Sequence, residues 1–425
     1  MRFSGFTDEW VSYKIGDISK TYSGGTPSTS KREYYEGNIP FIKSGEIGNE
    51  VTEQYINEEA INNSSAKKVQ KGDLLLALYG ATSGEVAISK IDGAINQAVL
   101  KIDNKMNNYF QYNYFVKYKD QIIHKYLQGG QGNLSANIIK KLEFYYPNLE
   151  EQQKISNYLL LIDNKIELLE KKHHEYQNFK KYLMQQIFAQ KLRFKSADGE
   201  QYSDWKERNL YEFLTEHKLK STGNEEVYSV SVHKGLVNQK EHLGRDFSAP
   251  DTSKYNLVKP GDIVYTKSPT GDFPLGIIKQ SRVDKNVIVS PLYGVFTPET
   301  YALGYILNDY FESNVNTHNY LHPIVQKGAK NTMNITNKTF LSKTLFVPTD
   351  VNEQQKIAEC FSKVNDSIRN IEIQQNKVNE FKKGLLQQMF VVRINWRCNF
   401  KLAKSPSFNK HLLILKNKII FIIIK

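Results

Sequence analysis

The sequence predicts an α+β protein: two mostly-β modules, each followed by a long helix, with the two helices paired as an antiparallel coiled coil. Three observations carry this. A 38-residue segment occurs twice, 202 residues apart. Each copy keeps a seven-residue apolar period over about five heptads. The stretches ahead of each copy alternate turn residues with short β-branched and aromatic runs. A chain of 425 residues is in any case too long for one core.

The first module is expected over residues 1–150 and the second over 193–352. Both open on Arg-Phe (Arg2-Phe3, Arg193-Phe194) followed by an acidic residue and tryptophan (Asp8-Glu9-Trp10, Asp204-Trp205). Both carry a Gly-Asp turn ahead of an apolar strand, Gly72-Asp73-Leu74-Leu75-Leu76 and Gly261-Asp262-Ile263-Val264-Tyr265. Helices are expected over 109–128 and 302–319. Each module closes on a Gly/Asn-rich loop, 129–133 or 328–331, then a strand and a proline, Pro147 or Pro348. Elsewhere the loops diverge, as in Tyr79-Gly80-Ala81-Thr82 against Lys267-Ser268-Pro269-Thr270. A shared scaffold with different loops implies two related recognition tasks.

The helices are expected over 151–192 and 353–390. Residues 151–188 and 353–390 share 14 of 38 positions, where chance gives roughly two. Both open on Glu-Gln-Gln-Lys-Ile. Ile155, Ile162, Leu169, Tyr176 and Leu183 recur every seven residues, as do Ile357, Val364, Ile371, Val378 and Leu385. Leu159, Ile166 and Ile187, and Phe361, Ile368 and Met389, interleave four residues later. Two seam positions are polar in both copies, His173 with Gln375 and Lys180 with Lys382. Such residues fix register and partner, or the seam loosens there and the lysines snorkel. A 38-residue helix runs about 57 Å, so an antiparallel pair makes a spacer with one module at each end.

The formal charge of +12 is unevenly placed. Residues 391–425 hold eight Lys or Arg and no acid, and without them the excess falls to +4. Charge alone therefore does not mark a nucleic-acid binder. In 399–425, Lys, Asn, Ile and Phe fill 18 of 27 positions, the bias of AT-rich DNA read out of frame; this tail is expected to be foreign to the fold. Its apolar run is too short to cross a bilayer, which needs about 20 residues, so no membrane partner is expected. With two cysteines, Cys360 and Cys398, and no apolar leader, a cytoplasmic location is expected.

No motif points to catalysis. The chain has no Walker A loop, no Gly-x-Gly-x-x-Gly, no amino-methyltransferase Pro-Pro-Tyr/Phe signature, no zinc spacing and no Gly-x-Ser-x-Gly elbow. No catalytic residue or metal ligand is proposed, and a binding module is favoured over an enzyme.

The order module, helix, module, helix, with Glu-Gln-Gln-Lys-Ile opening each helix and Phe-Lys-Lys-x-Leu-x-Gln-Gln-x-Phe closing it, resembles the specificity subunit (HsdS) of type I restriction-modification systems. In the first module Ser23-Gly24-Gly25-Thr26-Pro27, Ile39-Pro40-Phe41-Ile42-Lys43-Ser44-Gly45 and Asn96-Gln97 are similar to the family's target-recognition domains. The resemblance implies that each module reads one half of a split double-stranded DNA target. The helices would set the gap and dock two modification subunits, with restriction subunits joining them. S-adenosylmethionine, ATP and Mg2+ would sit on those partners and no cofactor on this chain. A DNA- or protein-binding scaffold outside restriction-modification is the alternative.

Reading DNA needs cations and hydroxyls for phosphates, and amides or guanidinium for base edges. The candidates are Lys43, Ser44, Tyr79, Thr82, Gln97, Gln131 and Asn133 in the first module. In the second they are His233, Lys234, Lys267, Ser268, Lys330 and Asn331. Gly24, Gly25, Gly80 and Gly84 are expected to form turns rather than cradle phosphate. For pairing and subunit docking the candidates are Ile155, Ile162, Ile166, Leu169, Leu183, Ile357, Val364, Ile368, Ile371 and Leu385.

Overall fold

The computed structural model describes residues 2–126, 133–243, 251–267, 270–327 and 333–390. They fall into two compact units. One holds the residues up to Lys165 together with those from Val378 on; the other is Ile166–Lys377.

In the first unit an antiparallel sheet has the spatial order Ser19–Ser23, Val99–Asn104, Leu74–Ala77, Val86–Ile88. Leu74–Ala77 is wholly buried, as its unbroken apolar run requires. Gly72 turns into it at φ +95°, a left-handed conformation that favours glycine. The Asp73 carboxylate closes that turn on the Gln70 N–H (2.7 Å) and pairs with Lys101 (2.5 Å). A second sheet runs Tyr55–Ile56, Ile39–Ile42, Gly93–Ile95, Lys67–Val69, with the central pair parallel. Gly24 passes so close to this pair that a Cβ would stand 1.7 Å from the Ile95 carbonyl oxygen. Packing thus accounts for that glycine. The helix Asn108–Tyr126 buries Phe110, Tyr114, Phe115 and Tyr118, with the Tyr114 ring stacked on Phe144 and set against Phe390.

The second unit repeats the first sheet strand for strand: Leu214–Glu216, Gly294–Pro298, Ile263–Thr266, Ile277–Gln280. Asp262 is the counterpart of Asp73. It is buried and accepts from the Lys259 N–H (2.7 Å), the Thr297 hydroxyl (2.7 Å) and His217 Nε2 (2.8 Å). The second sheet is repeated in reduced form: Asn256–Val258 pairs antiparallel with Val287–Val289 as Lys67–Val69 does with Gly93–Ile95, Val227 bridges Ile288 in parallel as Phe41 pairs with Ala94, and Tyr228–Ser231 continues into a hairpin with Gly235–Asn238. The helix expected over 302–319 is two helices, Tyr301–Phe311 and Asn314–Leu321. Ser313 starts the second by accepting the Asn316 N–H (3.3 Å), and a side-chain cap of this kind competes with continuing the first helix.

The long helices are Leu149–Phe188 and Val351–Met389. In the second unit they run antiparallel. Leu183, Met184 and Ile187 share a core with Ile357, Ala358, Phe361 and Val364, while His173 meets Glu372 (3.1 Å). Eight of the ten seam candidates are buried, and Ile166 and Ile368 are half-buried. The chain's own packing covers them, as pairing requires. The exposed large apolar residues of the first helix are Leu149, Leu160 and Leu161 in one unit and Leu168, Phe179 and Tyr182 in the other.

The repeated Glu-Gln-Gln motif ties module to helix. Glu151 is fully buried and takes Arg2 through two bonds, each 2.7 Å. Glu353, also fully buried, takes Arg193 (3.1 and 2.9 Å) and the indole N–H of Trp205 (3.0 Å). Gln152 donates to the Pro147 carbonyl (2.7 Å) and Gln354 to that of Pro348 (2.9 Å). Their side-chain oxygens then accept from the Asn107 N–H (3.1 Å) and the Thr300 hydroxyl (2.6 Å), where each bracing helix begins. Bidentate arginine on a buried carboxylate fixes orientation as well as contributing energy. The opening Arg-Phe and the Glu-Gln-Gln are thus two halves of one lock, made twice.

Candidate nucleic-acid interface

In the first module three separated segments converge. The Thr26 hydroxyl donates to Gln97 Oε1 (2.6 Å), and the Gly24 N–H to the Asn96 carbonyl (3.2 Å). The parallel pairing of Ile39–Ile42 with Gly93–Ile95 sets Lys43 beside Asn96. The result is a cleft of about 330 Å³ lined by Thr26, Thr29, Arg32, Tyr35, Phe41, Lys43, Gln54 and Asn96. Two cations, two hydroxyls and two amides over an aromatic floor are the groups that bind phosphate and base edges.

The loop after Leu74–Ala77 borders the same edge. Leu78 donates its N–H to the Ala98 carbonyl (2.8 Å), and its own carbonyl accepts from Leu134 (3.1 Å). This lays the 79–84 loop between the 96–98 turn and Asn133. Tyr79 and Thr82 are half-buried there, and Asn133 is exposed. Neither Tyr79 nor Thr82 lines the cleft; Ser44 is half-buried next to Lys43. Gly80 and Gly84 have φ of +82° and +83°, so both serve the turn. Asn96 accepts the Ala98 N–H (3.0 Å), which makes it a turn former as well as a lining residue.

The second module scatters its candidates. His233 and Lys234 are exposed at the tip of the hairpin Tyr228–Ser231/Gly235–Asn238. Lys267 follows the strand Ile263–Thr266 of a different sheet. Burial pushes its ammonium pKa down, against the opposing pull of Glu216. Gln131, Ser268, Lys330 and Asn331 lie outside the described residues. If Lys267 meets a DNA phosphate, Lys267→Ala weakens binding and lowers the salt slope by about one. Unchanged affinity and slope in a salt titration would remove it from the interface.

Thr29, Arg32 and Gln54 were not among the sequence candidates. Arg32 sits in the single turn Arg32–Tyr35, anchored by buried Tyr34, within a Ser-Lys-Arg-Glu run that reads as solvated loop. No periodicity flags it. Among the described residues no group of three or more metal-ligating side chains occurs, and no helix is long and apolar enough to cross a membrane.

Residues 7–178 match the family model described as the type I restriction modification DNA specificity domain. The chain is 29% identical over 239 residues to the type I restriction enzyme MjaIX specificity subunit of Methanocaldococcus jannaschii, covering 52% of this chain and 55% of that one. It is 27% identical over 173 residues to the EcoR124I/EcoR124II specificity subunit of Escherichia coli, covering 36% and 43%. The chain thus spans about half the length of these relatives. The solved S subunit of a type I restriction-modification system from M. genitalium shares the fold, with a TM-score of 0.60 at 14% identity over 92% of this chain and 98% of that one.

Proposed function

We propose that this chain is a specificity subunit of a type I restriction-modification system and selects the DNA sequence on which such a complex acts, a reading supported by the match of residues 7–178 to the specificity-domain family. Each module reads one half of a bipartite target, and the long helices hold the halves at a set gap. Two modification subunits dock on the helices and restriction subunits join them. S-adenosylmethionine, ATP and Mg2+ belong to those partners, the chain itself does no chemistry, and the assembly works in the cytoplasm.

The observation that carries this is the duplicated scaffold with unlike surfaces. The same four-stranded order and the same Arg-Glu lock occur twice, yet the residues that line the first module's polar cleft, such as Thr26, Arg32, Lys43 and Gln54, lie in loops and strand ends whose sequence the second module does not share. Selection for two different words on one frame produces this pattern. Docking falls to outward apolar residues such as Leu161 and Leu168, because the seam is occupied.

Co-expression with a modification subunit, followed by mapping of methylated adenines in genomic DNA, tests the reading. Two fixed half-sequences separated by an unread gap are expected. A chain that binds no modification subunit, or supports methylation at continuous or random sites, overturns it. Deletion of 391–425, which leaves buried Phe390 in place, is expected to change neither assembly nor target. A shift in either on the same map would tie the tail to the function.

A further inference from the structure

Two repeated polar positions of the long helices, one in the seam and one beside it, have a task that periodicity does not reveal. Lys180 and Lys382 are equivalent across the repeat, and so are Asp163 and Asn365. In the second unit Lys180 pairs with Glu312 and stands 3.7 Å from Asp309. Asn365, from the other long helix, donates to Asp309 (2.9 Å) and to the Tyr305 hydroxyl (3.0 Å). Arg282 adds a bond to Asp309 (3.1 Å) and covers the Tyr305 ring at 3.9 Å, and Lys279 reaches Glu312 (3.1 Å). Tyr305 and Asp309 belong to the bracing helix Tyr301–Phe311, and Glu312 follows it.

In the first unit the same two positions grip the other bracing helix. Lys382 pairs with Asp163 (2.5 Å) and lies 5.9 Å from the Tyr112 ring. Asp163 accepts from the Tyr109 hydroxyl. Tyr109 and Tyr112 are on Asn108–Tyr126. Each module is therefore held by one polar residue from each long helix, at matching heptad places. Apolar packing alone tolerates sliding and rotation. Directional bonds to a charge that is fully buried, as at Asp309, or mostly covered, as at Asp163, do not, because a small turn leaves that charge unpaired.

We propose that these two clusters are angular clamps: they fix the angle at which each module is presented from its helix pair, and so decide which gap between half-targets the chain accepts. This rests on the DNA reading above. One base pair more or less moves a half-target by about 3.4 Å and turns it by about a tenth of a helical turn, so a clamped module rejects the wrong gap. Lys180, Lys382, Asp163, Asn365, Tyr109 and Asp309 are positioning residues and need not touch DNA.

Lys180→Met and Tyr109→Phe keep most of the side-chain volume and test the clamps separately in the full chain. Without DNA, amide exchange of 301–311 in the first variant and of 108–126 in the second is expected to quicken about tenfold, each in its own unit only. Unchanged exchange in both overturns the clamp, whether or not the chain reads DNA. In the assembled complex, methylation is measured on duplexes with the native gap and with one pair added or removed. The native-gap preference is expected to fall about tenfold in each variant while discrimination against a wrong base within a half-target is kept. Faster exchange with an unchanged gap preference overturns the link to specificity. A wild-type complex with no gap preference would instead sink the bipartite reading itself.

Discussion

Replacing Glu353 with alanine is expected to lower the stability of residues 166–377 by about 3–5 kcal/mol. The side chain is fully buried and satisfies three donors, two on Arg193 and one on Trp205. Its removal leaves a guanidinium that is only 14% exposed, and an indole N–H, both without the acceptor. The cost comes from those stranded donors more than from the lost attraction. Urea unfolding followed by Trp205 emission, in a chain with Trp10 and Trp396 changed to phenylalanine, measures it. A loss under about 1 kcal/mol would mean that water replaces the carboxylate and that the lock is ornamental. Glu151→Ala should cost less. Arg2 is 31% exposed and can recover hydration, and no indole depends on Glu151.

Replacing both Arg32 and Lys43 with alanine is expected to weaken binding to a duplex carrying the first half-target by about ten- to a hundredfold. These are the two cations of the first module's cleft, and the fold holds them together through Phe41 and the parallel strand pair. The salt dependence separates two roles. If both groups meet phosphate, affinity falls equally for all sequences and the slope drops by one to two. If Arg32 reads a base, the slope changes less and preference at one position of that half relaxes. The other half-target should be read as before. A titration in which affinity, slope and preference all stay unchanged would show that the cleft is not an interface.

Much of the frame is legible in the sequence. The heptad residues Ile155, Ile162, Leu169 and Leu183 declared a buried seam, because a 3.5-residue period keeps one face inward wherever the helix goes. The Gly-Asp turns announced strands at Leu74 and Ile263, because only a few residue types suit a left-handed turn. Local rules were enough for both. The break at Ser313 was missed, since a capping hydroxyl competes with an otherwise acceptable helix by a margin that pattern does not show. For the seam residues, periodicity finds a buried face without saying what buries it, and the structure covers that face with the chain's own packing.

The candidate interface was legible only in part. Of the residues that line the cleft, Lys43 is a sequence candidate while Arg32 and Gln54 are not. The cleft exists because strands more than fifty residues apart in the chain pair in parallel.

By itself, the sequence determined the duplication, the coiled-coil period, the strand-opening turns and the unlike loops, since each is a matter of neighbours in the chain and of their preferred torsions. The tertiary structure alone decided what the repeated polar residues are for. Glu151 waits for Arg2 and Asn365 for Asp309, partners 149 and 56 residues away. A buried charge is tolerable only with its partner in place, and no local preference names a partner that the fold has yet to deliver.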